Sequence, residues 1–326
     1  MTEQAPRPNS FSEFVGQEQP KQVLQILARS AKKQGRPIAH TLLSGPAGLG
    51  KTTLCRLLAN EMGVSIVEMV GSNLQEPKQL QTQLAGIKEN SIIFIDEIHS
   101  VKNRAVEEVL YSAMEDRILH YVPETESFNE VMKAIGMRGS MSQAQTIRLP
   151  PFTLIAATTL QGLISSPLRS RFIQTLTLEP YSIEELKRIT TGAGRKMDFT
   201  VPDKVAMEIA KRSRNTARLA VGHIMWLKEF CIAQGQNPTM DSVRQAFVLK
   251  DIDENGLTKQ DRQYLSILVS SNAPVGLGSL AAALNESCQT LEQAVEPYLL
   301  RQGYMRRGTR GRVAEQKAYE LLGRAA

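Results

Sequence analysis

No run of apolar residues in this chain approaches the roughly twenty that a membrane-spanning helix needs. The first ten residues are polar and proline-containing, without the apolar centre of a secretory leader. These absences lead to the expectation of a soluble, cytoplasmic protein. Cysteine is scarce: Cys55, Cys231 and Cys288 are odd in number and far apart, so they offer neither a disulfide framework nor zinc-ligand spacing. Internal repeats and low-complexity tracts are missing as well. Nor is there a strong charge imbalance: 39 Lys and Arg against 33 Asp and Glu give a net charge of +6, which permits a polyanionic partner without requiring one.

What the chain does have is glycine in a particular place. Gly45-Pro46-Ala47-Gly48-Leu49-Gly50-Lys51-Thr52 lies between an apolar run, Thr41-Leu42-Leu43, and a helical pattern that starts at Thr53. That strand–loop–helix context is what a phosphate-binding loop requires. Its glycines let backbone N–H groups converge on a phosphate at the positive end of the new helix. Lys51 is placed to reach the β- and γ-oxygens of a nucleoside triphosphate, and Thr52 to ligate Mg²⁺. Gly45, Gly48, Leu49, Gly50, Lys51, Thr52 and Thr53 are therefore nucleotide-contact candidates.

A second apolar strand, Ser91–Ile95, delivers the carboxylates Asp96 and Glu97. Ligands gather at such strand ends in open α/β sheets. Neighbouring residues on a strand point to opposite sides, so Asp96 is expected at the Mg²⁺ and Glu97 at the attacking water. An acidic pair in this position also suits a simple helix cap. Phe152–Thr159 is a third such strand, ending in two hydroxyls, of which Thr159 is the first choice to sense a γ-phosphate and Thr158 the second. Arg169 and Arg171 follow in Ser166–Phe172, with guanidinium groups suited either to a transferring phosphoryl group or to solvent.

Short β-rich runs alternating with helical patterns predict a parallel sheet covered by helices. Beyond the boundary at Glu179-Pro180-Tyr181 the pattern turns helical, as in a lid, and a further module begins near Asp253. The expected division is a flexible arm over 1–10, an ATPase domain over 11–180, a lid over 181–252 and a DNA-binding module over 253–326. In the last module Arg301, Arg306, Arg307, Arg310 and Arg312 fall within twelve residues that contain no acid. Arg307, Arg310 and Arg312 are the DNA-backbone candidates, presented by a wing-like turn that Gly308 and Gly311 allow, with Tyr304 packed beneath.

Read together, Arg7-Pro8, Phe14-Val15-Gly16-Gln17, Gly45–Thr52, Phe94–His99, Ala113-Met114-Glu115-Asp116, Ser166–Phe172, Glu296-Pro297-Tyr298-Leu299 and Arg310–Ala314 resemble the RuvB family of AAA+ ATPases. The resemblance implies an α/β P-loop NTPase fold with a parallel sheet, a helical lid and a C-terminal winged helix. It implies an ATP- and Mg²⁺-dependent motor that works as a homo-hexamer on duplex or four-way-junction DNA. It also implies Arg171 as an arginine finger offered to the adjacent subunit, Thr159 as sensor 1 and Arg218 as sensor 2. Arg7, Phe14 and Val15 would line the adenine pocket. This chain departs from the family pattern at Phe14 (usually Tyr), Leu160 (usually Arg), Asn215 (usually Gly) and Ala217 (usually Pro). The segment 117–149, where the family carries a hairpin that contacts the junction-binding protein RuvA, is longer here and holds Met132, Met137 and Met141. Other classes share some of these motifs: an ATP-dependent assembly switch on DNA, or a clamp-loader-like adaptor. The adaptor would not need the wing arginines; steady-state hydrolysis coupled to strand displacement on a four-way junction separates a motor from the switch.

Overall fold

The computed structural model describes residues 5–121, 145–271 and 273–323. They form two compact units, one reaching from the N-terminus to Glu185 and including Thr216–Arg218, the other made of Leu186–Asn215 and Leu219 onward.

The first unit is built on a five-stranded parallel sheet in the order β2 (Ile66–Val70), β3 (Ile92–Asp96), β6 (Thr153–Thr158), β1 (Thr41–Ser44), β7 (Gln174–Thr177). Its central strands are apolar without alternation because helices cover both faces: every residue of β1 and β6 is buried. The edge strands β2 and β7 alternate with solvent instead. Register sets Leu43 opposite Ala157 and Ser44 opposite Thr158, while Ile95 stands opposite Ala156. The ends of β1, β3 and β6 therefore finish side by side. That shared carboxyl edge is where an α/β sheet binds its ligand. A core that includes Leu42, Ile93, Ile95, Val106, Leu110 and Leu154 packs the helices Pro77–Ala85 and Arg104–Glu115 on the sheet. A separate antiparallel pair, β4 (Ile118–Tyr121) with β5 (Gln145–Arg148), forms a hairpin stem. Residues 122–144, which include the methionine-rich part of the proposed docking segment, lie outside the described residues.

The second unit is helical up to Leu249 and has two apolar clusters. One joins Val205, Ile209, Ile224, Leu227 and Phe247; the other joins Leu257, Tyr264, Leu268, Leu291, Leu299 and Tyr304. The latter cluster supports the helices Lys259–Ser270 and Leu277–Leu284 and a hairpin, β8 (Met305–Gly308) with β9 (Gly311–Ala314). Val275 extends that hairpin by pairing with Arg312. Where the sequence pattern predicts one helix over Leu291–Gln302, the chain turns helical already at Cys288 and carries a π-helical stretch at Leu291–Val295 before Glu296–Arg301. The π-turn shifts the helical phase just ahead of Glu296, whose side chain is fully buried.

Candidate functional site

The loop after β1 curls as its glycines demand. Gly45 has φ 137°, and a Cβ there would run into the Leu178 carbonyl; Gly50 has φ 102°, and a Cβ would stand 2.9 Å from the Phe14 ring. No other residue fits either place. The helix Lys51–Met62 starts at once and turns the positive end of its dipole toward the loop. Lys51 is only 6% exposed, and its Nζ donates to the carbonyls of Gly45 at 2.7 Å and Pro46 at 3.0 Å. Burial lowers its pKa, opposed by the carboxylates of Glu97 and Asp96. An ammonium buried beside loop amides is the charge complement of a phosphate group.

Thr52 Oγ1 donates to Asp96 Oδ2 at 3.1 Å, a hydroxyl and a carboxylate of the hard-oxygen kind that Mg²⁺ takes. These donors fit a hydrated divalent ion bound to a nucleotide. Glu97 is placed by a different device from the one its sequence position predicts. The strand ends at Asp96, and Glu97 sits in the left-handed region at φ 49°, its N–H donating to Asp96 Oδ1. A turn separates the two carboxylates, so strand alternation has no part in it. The Glu97 carbonyl lies where a side chain on Gly71 would clash, so Gly71 makes room for this turn.

One oxygen of Glu97, Oε2, accepts from Thr159 Oγ1 at 3.0 Å and from the Thr159 N–H at 3.3 Å, and stands 3.1 Å from His99 Nδ1. The same His99 nitrogen lies 3.0 Å from Thr158 Oγ1, which also accepts from the Leu160 N–H. The two threonines thus divide: Thr159 faces the acid, while Thr158 is fully buried and braces the turn. His99 went unassigned in the sequence reading. Its position two residues after Glu97 was the available signal.

The segment before the first helix packs on the loop. Phe14 is buried against Gly50, and the Gln17 side chain bridges both ways to the Glu179 backbone, donating to its carbonyl at 2.7 Å and accepting from its N–H at 3.1 Å. Val15 is half-buried and Arg7 exposed. Tyr181, which sequence reasoning took only for a boundary, is buried and donates its hydroxyl to the Leu49 carbonyl at 2.8 Å. Burial pushes its phenol well above the usual range. It supplies a hydroxyl near the place where Phe14 lacks one. On another side of the loop the Arg218 N–H donates to the Gly48 carbonyl at 3.2 Å, leaving the Arg218 side chain exposed.

Arg171 is pinned within its own unit. Its guanidinium donates to the Pro167 carbonyl at 2.7 Å, pairs with Glu115 at 3.0 Å and lies 4.1 Å over the Tyr111 ring. Tyr111 is held in turn by Glu107, which also accepts from Ser165. Arg171 Nε is buried with no hydrogen-bond partner among the described residues.

In the C-terminal module the arginine cluster is less free than its sequence. Arg312 pairs with Glu292 and with buried Glu296, each at 2.9 Å; Arg307 pairs with Glu296 at 2.5 Å, and Arg306 with Glu315 at 2.8 Å. Tyr264 completes the Glu296 site with a 2.8 Å hydrogen bond. Burial alone would push the Glu296 carboxyl up, but the bonds from Arg312, Tyr264 and Arg307 outweigh it and hold it below the ordinary glutamate value. Arg310 is exposed at the hairpin turn and has no ion-pair partner among the described residues. Tyr304 is buried beneath the hairpin. Gly311 serves less to shape the turn than to let Val275 approach, since a Cβ at its φ of 146° would meet the Val275 carbonyl at 2.5 Å.

Residues 6–178 match the family model of the RuvB Holliday junction DNA helicase P-loop domain, and residues 254–323 match that of the RuvB C-terminal winged helix domain. The chain belongs to the RuvB family. The RuvB subunit of the Holliday junction branch migration complex from Fervidobacterium nodosum is 40% identical over 320 residues, covering 97% of this chain and 88% of that one. Its counterpart from Rubrobacter xylanophilus is 39% identical over 323 residues, covering 97% and 86%. Among solved structures, the Thermotoga maritima RuvB Holliday junction branch migration motor is 37% identical with a TM-score of 0.84, covering 99% of this chain and 100% of that one.

Membership in the RuvB family makes the local departures readable. Asn215 has φ 61° and its neighbour Arg214 φ 48°, so this position is left-handed, and asparagine is among the few residues besides glycine that adopt that region readily. Ala217 still opens the helix Ala217–Gln234, although it lacks the preset backbone angle of proline. No described helix is long and apolar enough to cross a membrane.

Proposed function

We propose that this chain is an ATP-driven motor that pulls duplex DNA through four-way junctions, hydrolysing ATP where subunits of a homo-hexameric ring meet. The observation that carries the reading is the meeting of Lys51, the Thr52–Asp96 pair and the Glu97–Thr159 pair at adjoining strand ends, in a chain of the RuvB family. Bound Mg-ATP supplies the phosphoryl bond whose cleavage releases the energy. Lys51 would exchange its loop carbonyls for phosphate oxygens, and Thr52 and Asp96 would hold the ion. Gly45, Gly48, Leu49, Gly50 and Thr53 shape or line the phosphate loop, while Arg7, Phe14 and Val15 border the base with Tyr181. Glu97 takes up the proton of the attacking water, and Thr159 holds that carboxylate in place through Oε2. Arg218 reports the nucleotide to the lid. Arg171 acts on the neighbouring subunit's nucleotide and must leave Glu115 to do so.

On the DNA side Arg310 meets the phosphate backbone, assisted by Arg307, which stays 45% exposed despite its pair with Glu296, while Arg312, 15% exposed, shapes the wing more than it contributes charge. A RuvA-like junction-binding protein docks through the 117–149 segment, and the motor works in the cytoplasm. The central test is Glu97→Gln. It is expected to keep ATP affinity within about twofold while steady-state hydrolysis falls at least ~10²-fold and junction migration stops. Turnover at the parent rate would remove Glu97 from its role.

A further inference from the structure

A short strap of chain, residues 214–218, is held at one end by the nucleotide loop and at the other by the C-terminal module. At its far end the Arg218 N–H donates to the Gly48 carbonyl, and Thr216–Arg218 belongs to the first unit although the chain on either side of it belongs to the second. Four residues earlier, Arg214 is fastened to the C-terminal module. Its Nε donates to the Gly256 carbonyl at 2.7 Å, its guanidinium pairs with Asp261, and it lies 5.0 Å over the Tyr298 ring. Asp261 is 1% exposed and also takes the N–H of Thr258 at 2.7 Å, so the arginine is tied to the start of the helix Lys259–Ser270.

The neighbouring contacts lock the same joint. A Cβ on Gly256 would stand 2.7 Å from the Arg212 carbonyl, and Arg262 reaches across to Asp251 at 2.7 Å and Asp253 at 3.5 Å. Arg214 keeps a left-handed backbone, which an arginine, unlike the asparagine that follows it, holds only where surrounding contacts fix it. Four residues of chain extend at most about 14 Å, so a displacement at Arg218 leaves little slack before it reaches Arg214.

We propose that the Arg214–Asp261 pair is the coupling joint of the motor: it passes nucleotide-dependent movement of the Thr216–Arg218 strap to the DNA-binding module, setting the work done per ATP. Both residues are positioning residues that touch neither nucleotide nor DNA. The inference rests on the motor reading above.

The test compares the full-length parent with Arg214→Ala and Asp261→Asn, assembled on a four-way junction. Expected is hydrolysis and duplex affinity within about twofold of the parent, with base pairs migrated per ATP reduced at least tenfold, and Arg214→Lys intermediate because it keeps the charge and loses the fork. A second readout needs no turnover: spin labels at Gln236→Cys and Thr309→Cys in a Cys288→Ser background should give a narrow distance distribution in the parent and a broad one in Arg214→Ala. An unchanged yield per ATP, an unchanged distribution, or hydrolysis, affinity and migration falling in parallel would overturn the joint. A parent that hydrolyses ATP but migrates no junction refutes the motor and the joint with it; a migrating parent with unaffected variants refutes the joint alone.

Discussion

The phosphate loop and the wing hairpin both owe their candidate roles to clustered charge or glycine in sequence, yet the fold treats them differently. Around the loop the candidate side chains come from one helix start and two strand ends and meet as small pairs: Thr52 with Asp96, Glu97 with Thr159. In and just before the wing five arginines stand together in sequence, but three are claimed by carboxylates, two of them by the same buried Glu296. Proximity along the chain brings like charges together at a cost, and the fold compensates with acids from elsewhere. Clustered charge in sequence is therefore not the same as charge available to a partner. A glycine-rich loop is different, because its function lies in the backbone itself.

The largest test of this contrast is Glu296→Ala. Removing the buried carboxylate leaves Arg307, Arg312 and Tyr264 without their shared acceptor, and should cost about 3–5 kcal/mol of stability in thermal or denaturant unfolding of the C-terminal module. Loss below about 1 kcal/mol would mean that the arginines find water instead. The pH dependence has a definite sign. A carboxyl whose folded pKa is depressed contributes stability above its unfolded value, and that contribution is lost as pH falls through the folded value. The parent should therefore shed this stability on acidification below the ordinary glutamate range, and Glu296→Ala should not.

On the nucleotide side, Tyr181→Phe removes one hydroxyl from the Leu49 carbonyl. Nucleotide affinity, read by calorimetry, should weaken by about 1 kcal/mol, roughly fivefold. An unchanged affinity would show that the loop holds its curl without this bond. The smallest effect separates the arginines. Arg310→Ala should reduce the slope of log affinity for duplex DNA against log salt by ~0.9, one phosphate contact, while Arg312→Ala should change it by much less. Equal slopes for the two variants would restore Arg312 as a DNA ligand and erase the distinction between paired and unpaired arginines.

Much of the architecture could be read without coordinates. Apolar runs of β-rich residues gave the sheet strands to within a residue or two, because strands buried on both faces leave a continuous signature. The helices Ala217–Gln234 and Lys259–Ser270 lie beyond the Glu179-Pro180-Tyr181 boundary, where the pattern turns helical. The phosphate loop was legible because its demands are local: glycine for backbone angles, lysine for charge, a helix start for the dipole. The roles of Asp96 and Thr159 as neighbours of that loop followed from strand ends, since a parallel sheet collects them at one edge.

Other features depend on contacts between residues far apart in sequence. The turn at Glu97 exists because Gly71, twenty-six positions earlier, makes room for its carbonyl. Tyr181 meets Leu49 across 132 positions, and Arg214 meets Asp261 across 47. A side chain's composition states what it can bond, and its neighbours along the chain state its local backbone. Which donor finds which acceptor is settled only when the packed core has fixed where each element stands, and burial then makes every unmatched charge costly.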